Sequence, residues 1–227
     1  MMPNGYTASH SGVITMQPPK FSDDFRQQFR ELVEWRRDVR RFRREPGDPT
    51  VFRELLRLAC LAPSVGNSQP WRFVVVDDPV RRQRIRDIFA RCNDAARTTY
   101  SSSRAELYGQ LKLAGLDEAP SQLAVFVDEA TTSGHGLGQY TMPETLHYST
   151  VAAVHTLWLA ARAYSLGVGW VSILEPRDVA RVLEVPDDWF LVAYLCIGYP
   201  EEEHLDPELQ RRGWQERLAG EHVIIRR

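Results

Sequence analysis

Ala62-Pro63-Ser64-Val65-Gly66-Asn67-Ser68-Gln69-Pro70-Trp71-Arg72-Phe73 joins an apolar helical pattern to an apolar strand pattern through small and amide-bearing residues. A plain turn uses the Gly and the Pro for their backbone geometry, but it has no need of Asn and Gln together. Those amides, with the backbone donors of a glycine-containing loop, can approach a flat heterocycle closely. On the N-terminal side, Asp48-Pro49 opens a helix in which Val51, Phe52, Leu55, Leu56, Ala59 and Cys60 recur at buried spacing, and Pro63 closes it. On the C-terminal side, residues 71–76 read as a strand ended by Asp77-Asp78-Pro79, and residues 123–127 read as a second. Both are too apolar and β-branched for surface segments, which places them mid-sheet.

Nearer the N-terminus, Ser22 followed by Asp23 and Asp24 reads as a helix start, with Phe25, Phe29, Leu32 and Val33 on one face. That helix is expected to carry Trp35-Arg36-Arg37-Asp38-Val39-Arg40-Arg41-Phe42, which sets Arg36, Arg37 and Arg40 within about one turn. Planar forked donors at this density suit a phosphate, the plain alternative being a solvated basic face. Two polar helices, rich in Ser and Arg, are expected over residues 79–91 and 94–114, the second a candidate movable cover. Residues 144–166 make a helix apolar nearly all round, with Val151, Val154, Leu157, Trp158 and Leu159, yet too poor in apolar residues for a membrane span. It is expected to be buried on every side, most easily if a second subunit covers one face. Strands over residues 170–174 and 190–197 follow, separated by a short helix from Pro176, and the tail after Gly198 is polar.

With 227 residues and 43% apolar content, one domain with a large core is expected. The net charge of −2 provides no global field for nucleic acid or an anionic membrane, although Arg replaces Lys almost throughout, only Lys20 and Lys112 remaining. Cys60, Cys92 and Cys196 are widely spaced without a CxxC, which indicates neither a disulfide framework nor zinc and fits a reducing cytoplasm. Gly134, Gly136 and Gly138 follow a strand but match no phosphate-binding spacing, and read as a flexible loop. Glu144 and His147 form a single ExxH pair, too little for a di-iron site, and His155 reads as a hydrogen-bonded core histidine. No metal site is expected, and no hydrolase motif is present.

The arginine motif and the later PSxxNxQPW segment, in that order and at the usual separation, resemble the nitroreductase superfamily of FMN proteins over nearly the whole chain from about residue 21. Asp38 in Arg-Arg-Asp-Val-Arg, residues 108–120, Met142-Pro143-Glu144-Thr145, residues 159–163 and Gly167-Val168-Gly169-Trp170-Val171-Ser172-Ile173 are similar to its flavin-destructase branch. Ordinary nitroreductases usually carry Ser or Thr where Asp38 stands.

The resemblance implies an α+β nitroreductase-like fold, with a central, mostly antiparallel sheet flanked by helices in a domain-sharing homodimer. A mobile N-terminal arm over residues 1–20 would precede one flavin-binding domain over residues 21–227, with a lid at 93–120 and a C-terminal extension at 199–227. Reduced FMN (FMNH2) would be consumed as substrate with O2 as co-substrate. The products would be D-erythrose 4-phosphate and 5,6-dimethylbenzimidazole, the lower ligand of cobalamin (vitamin B12). NAD(P)H would be the indirect reductant and a separate NAD(P)H:flavin reductase a candidate partner. The resemblance assigns FMN contacts to Arg36, Arg37, Asp38, Arg40, Ser64, Asn67, Gln69, Ser172 and Arg217, with the arginines toward phosphate and ribityl oxygens, and Asn67 and Gln69 toward the isoalloxazine.

By the same resemblance Asp38 would be catalytic as general base and then acid, kept ionised by its arginines, and Ser172 would place a hydroxyl near the reactive edge of the ring. Read from the residues alone, Asp38 is a salt-bridge partner ordering Arg37 or Arg41, and Ser172 a buried strand serine bonded to backbone. Two other functions compete. An NAD(P)H-dependent FMN reductase of nitro compounds or quinones would need an open flavin face. A nucleic-acid or protein-binding module using residues 36–44 would leave Asp38, Asn67 and Gln69 unexplained.

Overall fold

The computed structural model describes residues 6–8, 14–218 and 220–227, in two compact units that divide after Glu34. In the first unit, β1 (Tyr6–Ala8) pairs antiparallel with β2 (Ile14–Met16), and α1 (Asp23–Trp35) follows. The arm expected over residues 1–20 falls partly on residues 1–5 and 9–13, which lie outside the described residues. Helix α1 starts as its sequence suggests, with Ser22 Oγ accepting from Phe25 N at 3.1 Å and two acids in the first turn. Its apolar stripe of Phe25, Phe29 and Val33 is exposed.

The second unit is built on a four-stranded antiparallel sheet of β3 (Trp71–Val75), β4 (Ser121–Asp128), β5 (Gly167–Val171) and β6 (Trp189–Gly198), in the order β3-β4-β6-β5. The α+β architecture with an antiparallel sheet is the one expected. Strand β4 is buried on both faces and alternates between two cores. Leu123 and Val125 belong to the core that α2 (Pro49–Ala59) and α5 (Thr145–Ala163) complete with Leu55, Ala59, Val154 and Leu157. Ala124 and Phe126 belong to the opposite core, completed by Ile85 and Ile88 of α3 (Pro79–Arg97) and Val179 and Leu183 of α6 (Pro176–Leu183). Each fully buried leucine stabilises this sandwich by about 1.5–3 kcal/mol. Asp48 and Asp78 cap α2 and α3, accepting from Thr50 N and Val80 N, and Pro at the first helical position fits both starts.

These expectations are corrected. The strand around residues 71–76 is not mid-sheet: β3 is an edge strand with β4 as its neighbour, and it is partly exposed. The strand expected over residues 170–174 is β5, which starts at Gly167 and ends at Val171. The arginine motif is not on α1, which ends at Trp35; residues 36–42 run extended, because their backbone groups bond the sheet region instead of an earlier helical turn. The polar stretch after β3 forms one long α3 to Arg97 and then a short α4 (Ser102–Gly109), not helices over 79–91 and 94–114. Within the single chain, helix α5 buries one face, with Leu146, Ala153, Val154, Leu157 and Ala161, and leaves Tyr148, Val151 and His155 on the other exposed, the face for which a second subunit was expected. His155 is thus no core histidine.

Candidate active site

The arginine motif lies along the outer edge of β5. Val39 N donates to Val168 O at 3.0 Å and Asp38 makes an isolated parallel bridge with Val168. Further on, Arg43 N donates to Tyr199 O at 2.9 Å, beside an antiparallel bridge between Phe42 and Pro200. The approach is so close that a Cβ on Gly169 would lie 2.1 Å from Val39 O, so only glycine fits there.

This main-chain lacing fixes the Asp38 carboxylate. Its Oδ1 accepts from Trp170 N at 2.9 Å and its Oδ2 from Arg40 Nε at 2.8 Å. Arg40 in turn donates from Nη1 to Lys112 O at 3.1 Å, and only 12% of its side chain is exposed. The partner is therefore Arg40, in place of the expected Arg37 or Arg41. In an extended chain residues 38 and 40 share a side, whereas a helix would pair 38 with 41 or 42. Burial raises the Asp38 pKa, opposed by Arg40, the Trp170 N–H and Arg36, so the expectation that arginines dominate is reversed. About a third of the side chain still faces solvent, which moderates the upward push. The outcome is a carboxyl group that takes a proton more readily than an ordinary aspartate.

Arg36 is half-buried with its guanidinium 4.9 Å from the centre of the Trp158 ring, and among the described residues it makes no ion pair with a carboxylate. Its pKa is lowered by burial, with Asp38 opposing and the positive charge of Arg217 adding to the fall. Two arginines from remote parts of the chain thus feel each other's field, an arrangement that an anion would relieve. Arg37 and Arg41 have partners within the chain. Arg37 donates to Leu205 O (2.7 Å) and Arg36 O (2.5 Å), while Arg41 binds Glu208 (2.8 Å) and Glu202 (3.3 Å). These contacts pin residues 200–211, including the short α7 (Glu208–Arg211), to the arginine motif. Ser172 lies just beyond β5, two residues after Trp170, and is exposed, not buried in the strand.

Ser64, Asn67 and Gln69 occupy a different place. Ser64 Oγ accepts from Gln69 N (3.1 Å), and Val65 N donates to Ser149 Oγ (3.0 Å), docking the loop on the N-terminal half of α5. Gly66, Asn67 and Gln69 have φ of 56°, 55° and 47°, a left-handed geometry that costs the two amide residues energy and that the surroundings must hold. The residues 133–138 loop does so. A Cβ on Gly134 would lie 2.6 Å from Gly66 O and one on Gly138 2.9 Å from Val65 Cγ2, so these two glycines pack against the amide loop where the sequence suggested flexibility, while Gly136 between them faces open space. Trp158 Nε1 donates to Arg37 O at 3.3 Å, so α5 touches the amide loop at residue 149 and the arginine motif at residue 158. At 1.5 Å per residue these points are roughly 13 Å apart along the helix. One chain holds the two halves of the expected site separately.

Sequence reasoning missed Trp158, Trp170 and Trp214. The first two rings pair at 6.3 Å beside Arg36, while Trp214 lies against the polar helices: 5.4 Å from Tyr100, 6.1 Å from Tyr108, and with Arg104 stacked at 4.8 Å. Tryptophan's large aromatic area was the available signal, but only the fold shows its neighbours. Of the weak signals, His147 Nε2 lies 2.7 Å from Glu129 Oε1, not against Glu144. The buried Cys196 thiol has its pKa pushed up by burial to about 12, which leaves it protonated and unreactive at neutral pH.

A model of the nitroreductase family matches residues 33–199. The chain belongs to that family, as its motifs implied. It is 60% identical over 209 residues to the 5,6-dimethylbenzimidazole synthase of Rhodospirillum rubrum, covering 92% of this chain and 98% of that one. With a 5,6-dimethylbenzimidazole synthase of Rhodobacter capsulatus it shares 49% identity over 201 residues, 88% and 97% of the two chains. Among solved structures, oxidized iodotyrosine deiodinase bound to FMN and 3-iodo-L-tyrosine superposes with a TM-score of 0.68 at 25% identity, over 87% of this chain and 97% of that one. No described helix is long and apolar enough to cross a membrane.

Proposed function

We propose that this protein fragments FMNH2 with O2 to 5,6-dimethylbenzimidazole and D-erythrose 4-phosphate, providing the lower ligand of cobalamin. The observation that carries the reading is the 60% identity, over nearly the full length of both chains, to a 5,6-dimethylbenzimidazole synthase. The residues fit the flavin: Arg36 and Arg217, two like charges in one field, suit its phosphate, and Trp158 backs Arg36 from below. When bound, reduced flavin supplies both the electrons that reduce O2 and the carbon skeleton of the product. Asp38, held between Trp170 N–H and Arg40, accepts a proton at its carboxylate and later returns it, acting as base and then acid. Ser172, exposed at the end of β5, offers its hydroxyl to the ring edge. Arg37 and Arg40 order the motif, and Asn67 and Gln69 would hold the isoalloxazine side of the flavin, with Ser64 ordering their loop.

Those two groups belong to one site when the amide loop comes from the other chain of a homodimer. The exposed row Tyr148, Val151 and His155 on α5 supports this, since the intervals of three and four residues place them on one face. Light scattering is expected to give twice the chain mass of 26.1 kDa, and a stable, active monomer would remove the two-chain site. The function itself is tested by mixing the protein with FMN, NADPH and air. Flavin absorbance should be lost permanently as dimethylbenzimidazole accumulates. Recovery of the full flavin spectrum once NADPH is exhausted would instead identify a reductase. Anaerobic preparation of FMNH2, then admission of O2 with and without NADPH, shows whether a separate reductase is needed.

A further inference from the structure

We propose that Lys112 and Glu118 are positioning residues for Asp38, acting through Arg40: their ion pair holds the peptide whose carbonyl seats the guanidinium, and the guanidinium seats the carboxylate. The proposal rests on the flavin reading above for its consequence in product formation. Each link is a contact between atoms. Asp38 Oδ2 accepts from Arg40 Nε at 2.8 Å, Arg40 Nη1 donates to Lys112 O at 3.1 Å, and Lys112 Nζ lies 2.6 Å from Glu118 Oε1. Among the described residues, the first two are the hydrogen bonds of the Arg40 side chain. A guanidinium is a planar fork. One bond lets it swing about that contact, whereas a second on another nitrogen fixes the plane in which Nε meets the carboxylate.

Lys112 needs a tether because of where it stands between α4 and β4. Residues 115–120 form a floor that is fixed without it. Leu116 O accepts from Gln122 Nε2 (2.9 Å), Asp117 O from Arg44 Nη1 (3.1 Å) and Pro120 O from Arg82 Nη2 (3.0 Å), and a Cβ on Gly115 would run into the Phe42 ring. On the other side, the turn after α4 closes with Leu111 N donating to Tyr108 O at 3.1 Å. Residues 112–114 run between these anchors outside helix and strand, and besides Arg40 it is the bridge to Glu118 that fastens residue 112 to the floor. The pair is poorly explained as a stabilising contact alone. Glu118 Oε2 is buried and, among the described residues, has no hydrogen-bond partner, a costly state for a carboxylate oxygen. Such a cost is kept where a group serves geometry, and the geometry here ends at Asp38. Asp38 faces Arg40 and Arg36 from its own segment and the Trp170 N–H from β5. On β6 the Cys196 thiol, protonated at neutral pH, feels the negative charges of both Asp38 and Glu118, so the two carboxylates share one neighbourhood.

The test follows Asp38 ionisation in the full-length protein by NMR of the Trp170 backbone amide, whose N–H meets Asp38 Oδ1 at 2.9 Å, over a pH titration. The acid limb of dimethylbenzimidazole formation is measured alongside. Arg40 favours the ionised carboxylate, so a loosened guanidinium should move both midpoints to higher pH. Glu118→Gln, Lys112→Met and the double variant should each raise them by about 0.5–1 pH unit, the double no more than either single. Direct charge effects give a different pattern. Glu118→Gln removes a negative charge and would lower the midpoint, Lys112→Met would raise it, and the double variant would leave it nearly in place. That pattern, or midpoints that stay put while only the melting temperature falls, would overturn the proposal. The double variant separates the two even if Glu118→Gln alone does not fold. Failure of the flavin reading looks different: the wild type would make no dimethylbenzimidazole, while the Trp170 amide would still report whether Lys112 and Glu118 set Asp38.

Discussion

Asp38→Asn is expected to lower 5,6-dimethylbenzimidazole formation by about two to four orders of magnitude while FMN still binds, because it removes the base and leaves the arginines in place. Asn is less innocent here than its shape suggests. Both carboxylate oxygens of Asp38 accept, one from Trp170 N and one from Arg40 Nε, and an amide has a single oxygen. Its NH2 must face one of those donors, at a cost of about 1–3 kcal/mol in stability. Product should therefore be measured per bound FMN, well below the melting temperature of the variant. The pH dependence has a definite sign. Burial raises the Asp38 pKa, so the acid limb of product formation should lie above the ordinary aspartate value of 3.8. For folding, a raised carboxyl pKa contributes stability below the unfolded value, and that contribution disappears as pH rises through the folded value. Ionised Asp38 is thus carried at some cost that Arg40 offsets. Wild-type yields from Asp38→Asn would reduce this carboxylate to scaffolding.

Arg36→Ala combined with Arg217→Ala should weaken FMN binding by about two to three orders of magnitude. A charge-assisted phosphate contact contributes about 1.5–3 kcal/mol, which is roughly tenfold to a hundredfold in affinity. The double variant should fall short of the product of the singles, since removing either arginine also removes the repulsion felt by the other. Riboflavin affinity should change little in the same variants. Arg40→Ala should behave differently, because its guanidinium serves Asp38 and Lys112 O; it should lose product more than it loses FMN. FMN binding unchanged in the double variant, read by fluorescence quenching, would mean that the basic face is merely solvated.

Much of this was legible from local pattern. The apolar, β-branched run at 123–127 is mid-sheet as its composition demanded, and Asp48-Pro49 marked the start of α2 through its own capping chemistry. The similar run at 71–76 forms instead the edge strand β3, because apolar content reports that a strand packs against helices and not how many strands flank it. The arginine motif was misplaced for a specific reason. Trp35, Val39 and Phe42 continue a helical spacing of four and three, so periodicity alone extends α1 through them, while the groups that end the helix, Val168 O and Tyr199 O, lie more than a hundred residues away. The same error misassigned the partner of Asp38, since the choice between Arg40 and Arg41 is a choice between two backbone conformations. Family resemblance located Asp38, Asn67 and Gln69 in the chain but could not say that the latter two sit at the far end of α5 from the first. The tryptophan contacts were illegible for a simpler reason: Trp214 meets Tyr100 across more than a hundred residues of chain.

The main-chain lacing of residues 38–39 to β5 also bears on how such an activity can arise or be lost by descent. Position 38 is fixed by backbone contacts at its neighbours and by the missing side chain of Gly169, so different side chains can occupy it without repacking a core. A Ser or Thr hydroxyl there could still accept from Trp170 N, but it would leave the mostly buried Arg40 without its counter-charge. An exchange at residue 38 would thus alter the charge that residue 40 meets while the backbone frame stays as it is, so descent could change the chemistry of this position without rebuilding the strand that carries it.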